Sequence, residues 1–327
     1  IAHVTDDARK GGLLERLGEL RSKAGDHGGA GEAYAEAGAL LDKPDCLDLA
    51  AEAYEKAERW SDLAAIKAQR AEDLEGEDKV AALAAAGHAR LQAGEVDEGL
   101  QMLEQASELN PNDEDLATKI EEQYHQAQRH GDQVRFLLSR ASRVADREMR
   151  VGLNHRAAAI QRSLGDEEGT RQSLQAVLED GDDVTALRIL LDMAERRQDW
   201  PDAVELLARL VGSAEPADKL AYAIREAQLL ADGTGDIDQA IDRYQRILKE
   251  DDPENRYALG AMSDLEMRRN NHAGAAEALE RLLELLDGED KIEVARKLAQ
   301  LYEGPLEDAE KAVAALDIVH AGDPTDL

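Results

Sequence analysis

The side chains with chemistry to offer in this sequence are mostly charged ones, and their signs are not evenly spread. From Arg129 to Arg171 there are nine arginines (129, 135, 140, 143, 147, 150, 156, 162, 171) against six acids (132, 146, 148, 166, 167, 168), a net of +3. The whole chain has 71 acidic and 39 basic residues and a formal charge of −32. His155, Arg156 and Arg162 lie inside the arginine stretch, and Arg188 and Arg196 continue it. Upstream, Asp45, Asp48, Glu52 and Glu55 recur at helical spacing with the opposite sign. Guanidinium groups in such a series recognise carboxylates. A surface acidic at one end and basic further along would orient a peptide of mixed charge through steering and rim pairing. The plainer alternative is that these arginines are solvated and paired with carboxylates of their own chain.

Catalytic and cofactor chemistry has no comparable footing. The sequence contains no His-Glu-x-x-His zinc motif, no Gly-Lys-Ser/Thr phosphate loop, no Gly-x-Ser-x-Gly elbow and no pair of cysteines. The glycines at 25, 28, 29 and 31 follow a helical pattern instead of a strand, so they read as an interhelical turn and not a nucleotide cradle. His125 and His130 are five apart and do not share a helix face, which makes them helix-end residues and not a metal pair. Asn112, Asp113, Glu114 and Asp115 lack the central glycine and closing glutamate of a calcium loop, and read as caps. Cys46 falls among apolar helical residues and reads as a buried thiol. The expectation is a chain with no catalytic residue, no cofactor and no metal.

The elements that carry these residues are short helices in pairs. In residues 80–113 the larger apolar residues from Leu83 to Leu91 fall on one face, with Ala82, Ala85, Ala86 and Gly87 keeping that side small. Gly94 then supplies a left-handed stop. Glu95, Asp97 and Glu98 open a second helix whose stripe of Gly99, Leu103 and Ala106 faces the first. Asn110-Pro111 ends the pair. Imperfect copies recur along the chain. Trp60 and Trp200 hold the same place just after a turn, and residues 225–244 align with 297–316 at an offset of 72, each with a turn about two residues longer than the others. No segment alternates with the period of a strand.

A unit of about thirty-four residues built in this way resembles the tetratricopeptide repeat, with Leu83, Ala86, Gly87, Leu91, Gly94, Gly99, Leu103, Ala106 and Pro111 carrying the match and Arg90 standing where that family has an aromatic. The resemblance implies an all-α, right-handed superhelical solenoid, here of about nine helix pairs, with first helices lining the concave side. By that register His155, Arg156 and Arg162 fall on or near the concave side, with Arg188 and Arg196 continuing the strip. Asp45, Asp48, Glu52 and Glu55 make the same side acidic upstream. Some members of the family clamp acidic chaperone tails with lysines and asparagines on first helices; Glu15, Glu19, Asp48 and Glu52 occupy those faces here, so that ligand is not expected. The expected organisation is a lead-in or remnant of a preceding helix over residues 1–10, a first block of repeats over 11–212, and a continuous second block with longer turns over 213–327. The breaker-rich residues 212–216 are the expected hinge.

Composition bounds the partners. With 43% hydrophobic but only 3% aromatic residues, alanine and leucine have to supply most of the core. A charge of −32 argues against general binding to nucleic acid or an anionic membrane. No apolar run approaches the roughly 18 residues of a membrane helix. Arginine outnumbers lysine 27 to 12, which together with the acidity raises the reading of adaptation to high salt. Ile1 stands first and residues 321–327 read as the loop into another repeat, the pattern expected of a piece of a longer chain; no compartment is specified. The leading expectation is a non-catalytic interaction scaffold that holds a peptide or helix of another protein in the concave groove, or that connects other domains of its own chain. A regulatory or sensory module of a larger enzyme is the alternative, and self-association through uncapped ends a third.

Overall fold

The structure is a computed structural model that describes residues 6–322. Among the described residues every regular element is a helix, and consecutive helices pair across short turns. Two compact units divide between Ser173 and Leu174. In the first, α1 (Asp7–Lys23) pairs with α2 (His27–Leu41), α3 (Pro44–Lys56) with α4 (Trp60–Glu72), and α5 (Gly76–Gln92) with α6 (Val96–Leu109). There follow α7 (Glu114–Gln126) with α8 (His130–Ala141), and α9 (Arg147–Ser163) with α10 (Glu167–Glu179), inside which the division falls. In the second, α11 (Val184–Arg196) pairs with α12 (Trp200–Ser213) and α13 (Pro216–Gln228) with α14 (Ile237–Arg246). The last pairs are α15 (Arg256–Arg268) with α16 (His272–Glu284) and α17 (Gly288–Glu303) with α18 (Ala309–Gly322).

Of the expected lead-in, residues 7–10 already belong to α1, while 1–5 lie outside the described residues, as do 323–327 of the expected terminal loop. The breaker-rich stretch at 212–216 is mostly helical. Gly212 and Ser213 end α12 and Pro216 opens α13, leaving two linking residues.

Local chemistry sets the helix ends. Asp26, Asp113, Asp146, Asp183, Asp236, Asn255 and Asn271 each accept a hydrogen bond from the backbone N–H three residues on, which satisfies a donor left over by helix geometry. Gly94, at φ 81°, makes the left-handed turn out of α5. Where Gly94 has its counterparts in other pairs, Glu58, Gln128, Gln198 and Asn270 adopt positive φ without being glycine.

Packing between paired helices depends on small residues. A Cβ added at Gly87 of α5 would sit 2.9 Å from the Gly99 carbonyl oxygen of α6 and 2.7 Å from Leu103 Cγ. The two backbones therefore touch at glycine, and Ala86, Leu100, Leu103 and Ala106 close over the contact with at most 2% exposure. Where a second helix opens on tryptophan, that side chain fills a further seat. Trp200, at the start of α12, lies against Gly233 in the next pair's turn, where a Cβ would come 3.0 Å from its Cγ. Trp60, at the start of α4, packs against a core drawn from α2 to α5.

The two longer turns are accommodated differently. After α13 the extra residues wind into a π-helical segment, Leu229–Thr234, that buries Leu229, Leu230 and Ala231. After α17 the chain leaves the helix at Gly304 instead. Pro305 stands there at the position aligned with Gly233, and without an N–H it cannot continue a helical ladder.

Candidate partner-binding surfaces

Most of the arginine-rich stretch is spent on fastening one helix pair to the next. Arg129, immediately before α8, pairs with Asp97 of the preceding pair and with Asp132 at 2.8 Å, and its guanidinium lies 5.6 Å from the Tyr124 ring. The same arrangement occurs two pairs earlier, where Arg59 reaches Glu32 at 2.7 Å and Asp62 at 2.6 Å beside the Tyr54 ring. Arg269 repeats the link to Asp238 at 2.9 Å. Arg135 reaches Glu104 at 3.4 Å and Arg143 reaches Glu108 at 3.2 Å, again one pair back. Arg140 is 2% exposed. It donates to the Pro111 carbonyl at 2.6 Å and to Glu114 at 2.7 Å, pinning the α6–α7 turn from within. Partly exposed pairs of this kind each contribute at most about 1 kcal/mol, so their effect is to select the register of stacking.

The residues singled out for partner binding are placed as follows. Arg156, exposed on α9, pairs at 3.2 Å with Glu121 of α7. Burial pushes the Glu121 carboxyl above the usual carboxylate range, and the Arg156 charge only partly opposes it. A cavity of about 270 Å³ opens beside this pair, lined also by His125 and Gln133. His155 is half-buried, whereas Arg162 is exposed at the end of α9 and its side chain has no hydrogen bond or ion pair among the described residues. In the second unit, Arg188 is exposed on α11 and likewise without such a partner, while Arg196 pairs with Asp192 one turn back at 2.8 Å. Asp45, Asp48, Glu52 and Glu55 are all exposed on α3, with Asp48 held by Arg70 of α4 at 3.1 Å. His125 and His130 meet ring to ring with centroids 5.8 Å apart. Cys46 is fully buried between Leu14 and Ala37, and burial pushes its thiol up from its ordinary value.

A concavity of about 680 Å³ lies between the first helices of consecutive pairs, α5 and α7. Val80 and Ala84 of α5, Leu109 at the end of α6 and Leu116 of α7 give it an apolar lining, and Leu109 is 54% exposed. Lys79, Lys119 and His88 stand around it with Glu77 and Asp115. Neither lysine side chain has a hydrogen bond or ion pair among the described residues. Burial, and then the Lys119 charge, hold the His88 imidazole below its ordinary value. Sequence reasoning passed over these residues, because no motif joins Lys79 to Lys119. The only signal was the scarcity of lysine, 12 in the whole chain.

No protein-family model matches the sequence, and no curated protein matches it significantly. Among solved structures the chain is similar to PilW, a widely conserved type IV pilus biogenesis factor, at 13% identity over 64% of this chain and 94% of that one, with a TM-score of 0.34. It is similar to the TPR2AB domain of yeast Sti1 in complex with pHSP90 at 15% identity, over 93% and 98% of the two chains, with a TM-score of 0.29. The C-terminal part of a TPR repeat-containing protein from Cytophaga hutchinsonii matches at 13% identity over 95% and 96%, with a TM-score of 0.28. At such identities and scores these likenesses add nothing to what the helices themselves display. Within each unit the described chain is an all-α array of tetratricopeptide-like helix pairs.

Proposed function

We propose that this chain is a non-catalytic protein–protein interaction scaffold, and that it holds a helical or extended segment of another protein against its first helices. The observation that carries the reading is the cleft between α5 and α7. It is open, apolar at its lining, and its rim is of mixed sign, with Lys79 and Lys119, whose side chains are unpaired among the described residues, beside Glu77, Asp113 and Asp115. A groove of that composition anchors apolar side chains while charges at the rim set orientation. Arg156, Arg162 and His155 on α9, and Arg188 and Arg196 on α11, extend the proposal as separate basic surfaces. The acidic face of Asp45, Asp48, Glu52 and Glu55 on α3 is proposed as the surface of opposite sign.

The test is capture of partners from lysate by three baits: the native chain, Lys79→Glu with Lys119→Glu, and Arg162→Glu with Arg188→Glu. Those four side chains are exposed or rim-lying and unpaired, so circular dichroism should report unchanged helicity. A protein retained by the native chain and reduced about tenfold or more by one of the reversals, a difference of about 1.4 kcal/mol, would support the reading. Retention of nothing, or retention indifferent to both reversals, would sink it.

A further inference from the structure

Exposed large apolar side chains are few among the described residues, and four helices, α1, α6, α15 and α18, carry two each, those of α1 and α18 being flanked by unpaired charges. On α1, Leu13 is 47% and Leu20 59% exposed; on α18, Val313 is 57% and Leu316 42% exposed. Each of these helices buries its opposite face, through Gly11, Leu14 and Gly18 on α1 and Ala312, Ala315 and Val319 on α18.

The charges around these side chains differ in sign. Arg9, Leu13, Arg16, Leu20 and Lys23 are all exposed and spaced four, three, four and three apart, which places them on a single stripe of α1. In a chain of −32 this is a locally basic, apolar surface, and none of its three cations has a hydrogen bond or ion pair among the described residues. On α18 the exposed residues Glu310, Val313 and Asp317 are spaced three and four apart, with Leu316 beside them, and neither acid is paired among the described residues.

The two spacings are mirror images. Arginine, four residues, leucine, three residues, arginine on α1 matches aspartate, four residues, valine, three residues, glutamate on α18 read backwards. With a rise of about 1.5 Å per residue, the two arginines and the two acids are each about 10 Å apart. An antiparallel contact therefore sets Arg9 against Asp317, Leu13 against Val313 and Arg16 against Glu310 in one register.

We propose that α1 of one copy of this chain docks antiparallel on α18 of a second copy. Two molecules of −32 repel at long range, but at physiological ionic strength charges further than about 8 Å apart are screened, so the local pairing decides. The contact is heterologous, since different surfaces meet, so copies join head to tail into a ring or an open chain. A single helix face is a small interface, so association is weak and grows with concentration.

Sedimentation velocity of the 327-residue chain at about 5 to about 200 µM and physiological salt tests this, because a small interface associates in that range. The weight-average mass should at least about double across the series as copies join through this contact. Arg9→Glu with Arg16→Glu should return it to the monomer mass, and adding Glu310→Arg with Asp317→Arg to the same chain should restore association. All four positions are exposed, so thermal melts should be unchanged. A monomer at every concentration, association indifferent to the first reversal, or failure of the fourfold swap to restore it would each overturn the proposal. The last outcome would assign the α1 stripe to an acidic surface of the second copy other than α18. None of these results bears on the α5–α7 cleft, whose test uses different residues.

Discussion

At the scale of single residues, burial and charge act together at His88. Its imidazole is held below its ordinary value first by burial and then by Lys119. A histidine depressed in this way binds fewer protons in the folded chain than in the unfolded one. Its contribution to stability is full above the unfolded value of about 6.5 and is lost as the pH falls toward the folded one. Replacing His88 by Asn should therefore flatten the fall in urea midpoint between about pH 7 and about pH 5 relative to the native chain. Equal slopes for the two proteins would show that the side chain is not desolvated by the cleft. The arginines teach a different lesson at this scale. Their abundance from 129 to 171 was visible in the sequence, but whether each was free could not be read from spacing. The carboxylates that hold Arg129, Arg135 and Arg143 lie about one repeat upstream, in a different helix pair.

At the scale of elements, glycine has two distinct roles in these helices. Gly87 is where α5 touches α6, so Gly87→Ala drives a methyl into the Gly99 carbonyl and Leu103, and should destabilise by about 1–3 kcal/mol. Gly152 lies inside α9 with open space where its Cβ would go, so Gly152→Ala should stabilise by about 0.5–1 kcal/mol through helix propensity alone. Urea denaturation of both variants measures the contrast, and a Gly87→Ala protein as stable as the native one would remove the close-approach argument. The pairing at 87 and 99 was legible in the sequence as facing stripes of small residues. The π-helical segment Leu229–Thr234 was legible only as two surplus residues. Residues 225–244 and 297–316 align in sequence yet end their first helices differently, and among their differences at the turn Pro305 in place of Gly233 removes a backbone donor.

At the scale of the whole molecule, stability in an array of helix pairs is approximately a sum over units and their neighbours, so unfolding need not be one transition. The two tryptophans report this directly, since Trp60 belongs to the first compact unit and Trp200 to the second. In single-tryptophan proteins made with Trp200→Phe or Trp60→Phe, Gly87→Ala should lower the urea midpoint seen by Trp60 more than that seen by Trp200. Equal shifts at both probes would mean that the chain unfolds as one cooperative block.

What the sequence determined by itself was everything carried by short-range physics. Caps such as Asp26 and Asp113, the left-handed Gly94, the small facing stripes and the proline-marked ends place helices and pair them, because each of those forces acts within one or two turns of the chain. Tertiary structure decided what depends on how one pair seats on the next. It committed most of the arginines to internal ion pairs, left the side chains of Arg162 and Arg188 without partners among the described residues, and opened the cleft between α5 and α7 with Lys79, His88 and Lys119 around it. Those outcomes turn on contacts between residues about thirty positions apart, and a pattern of types and spacings within one helix carries no record of them.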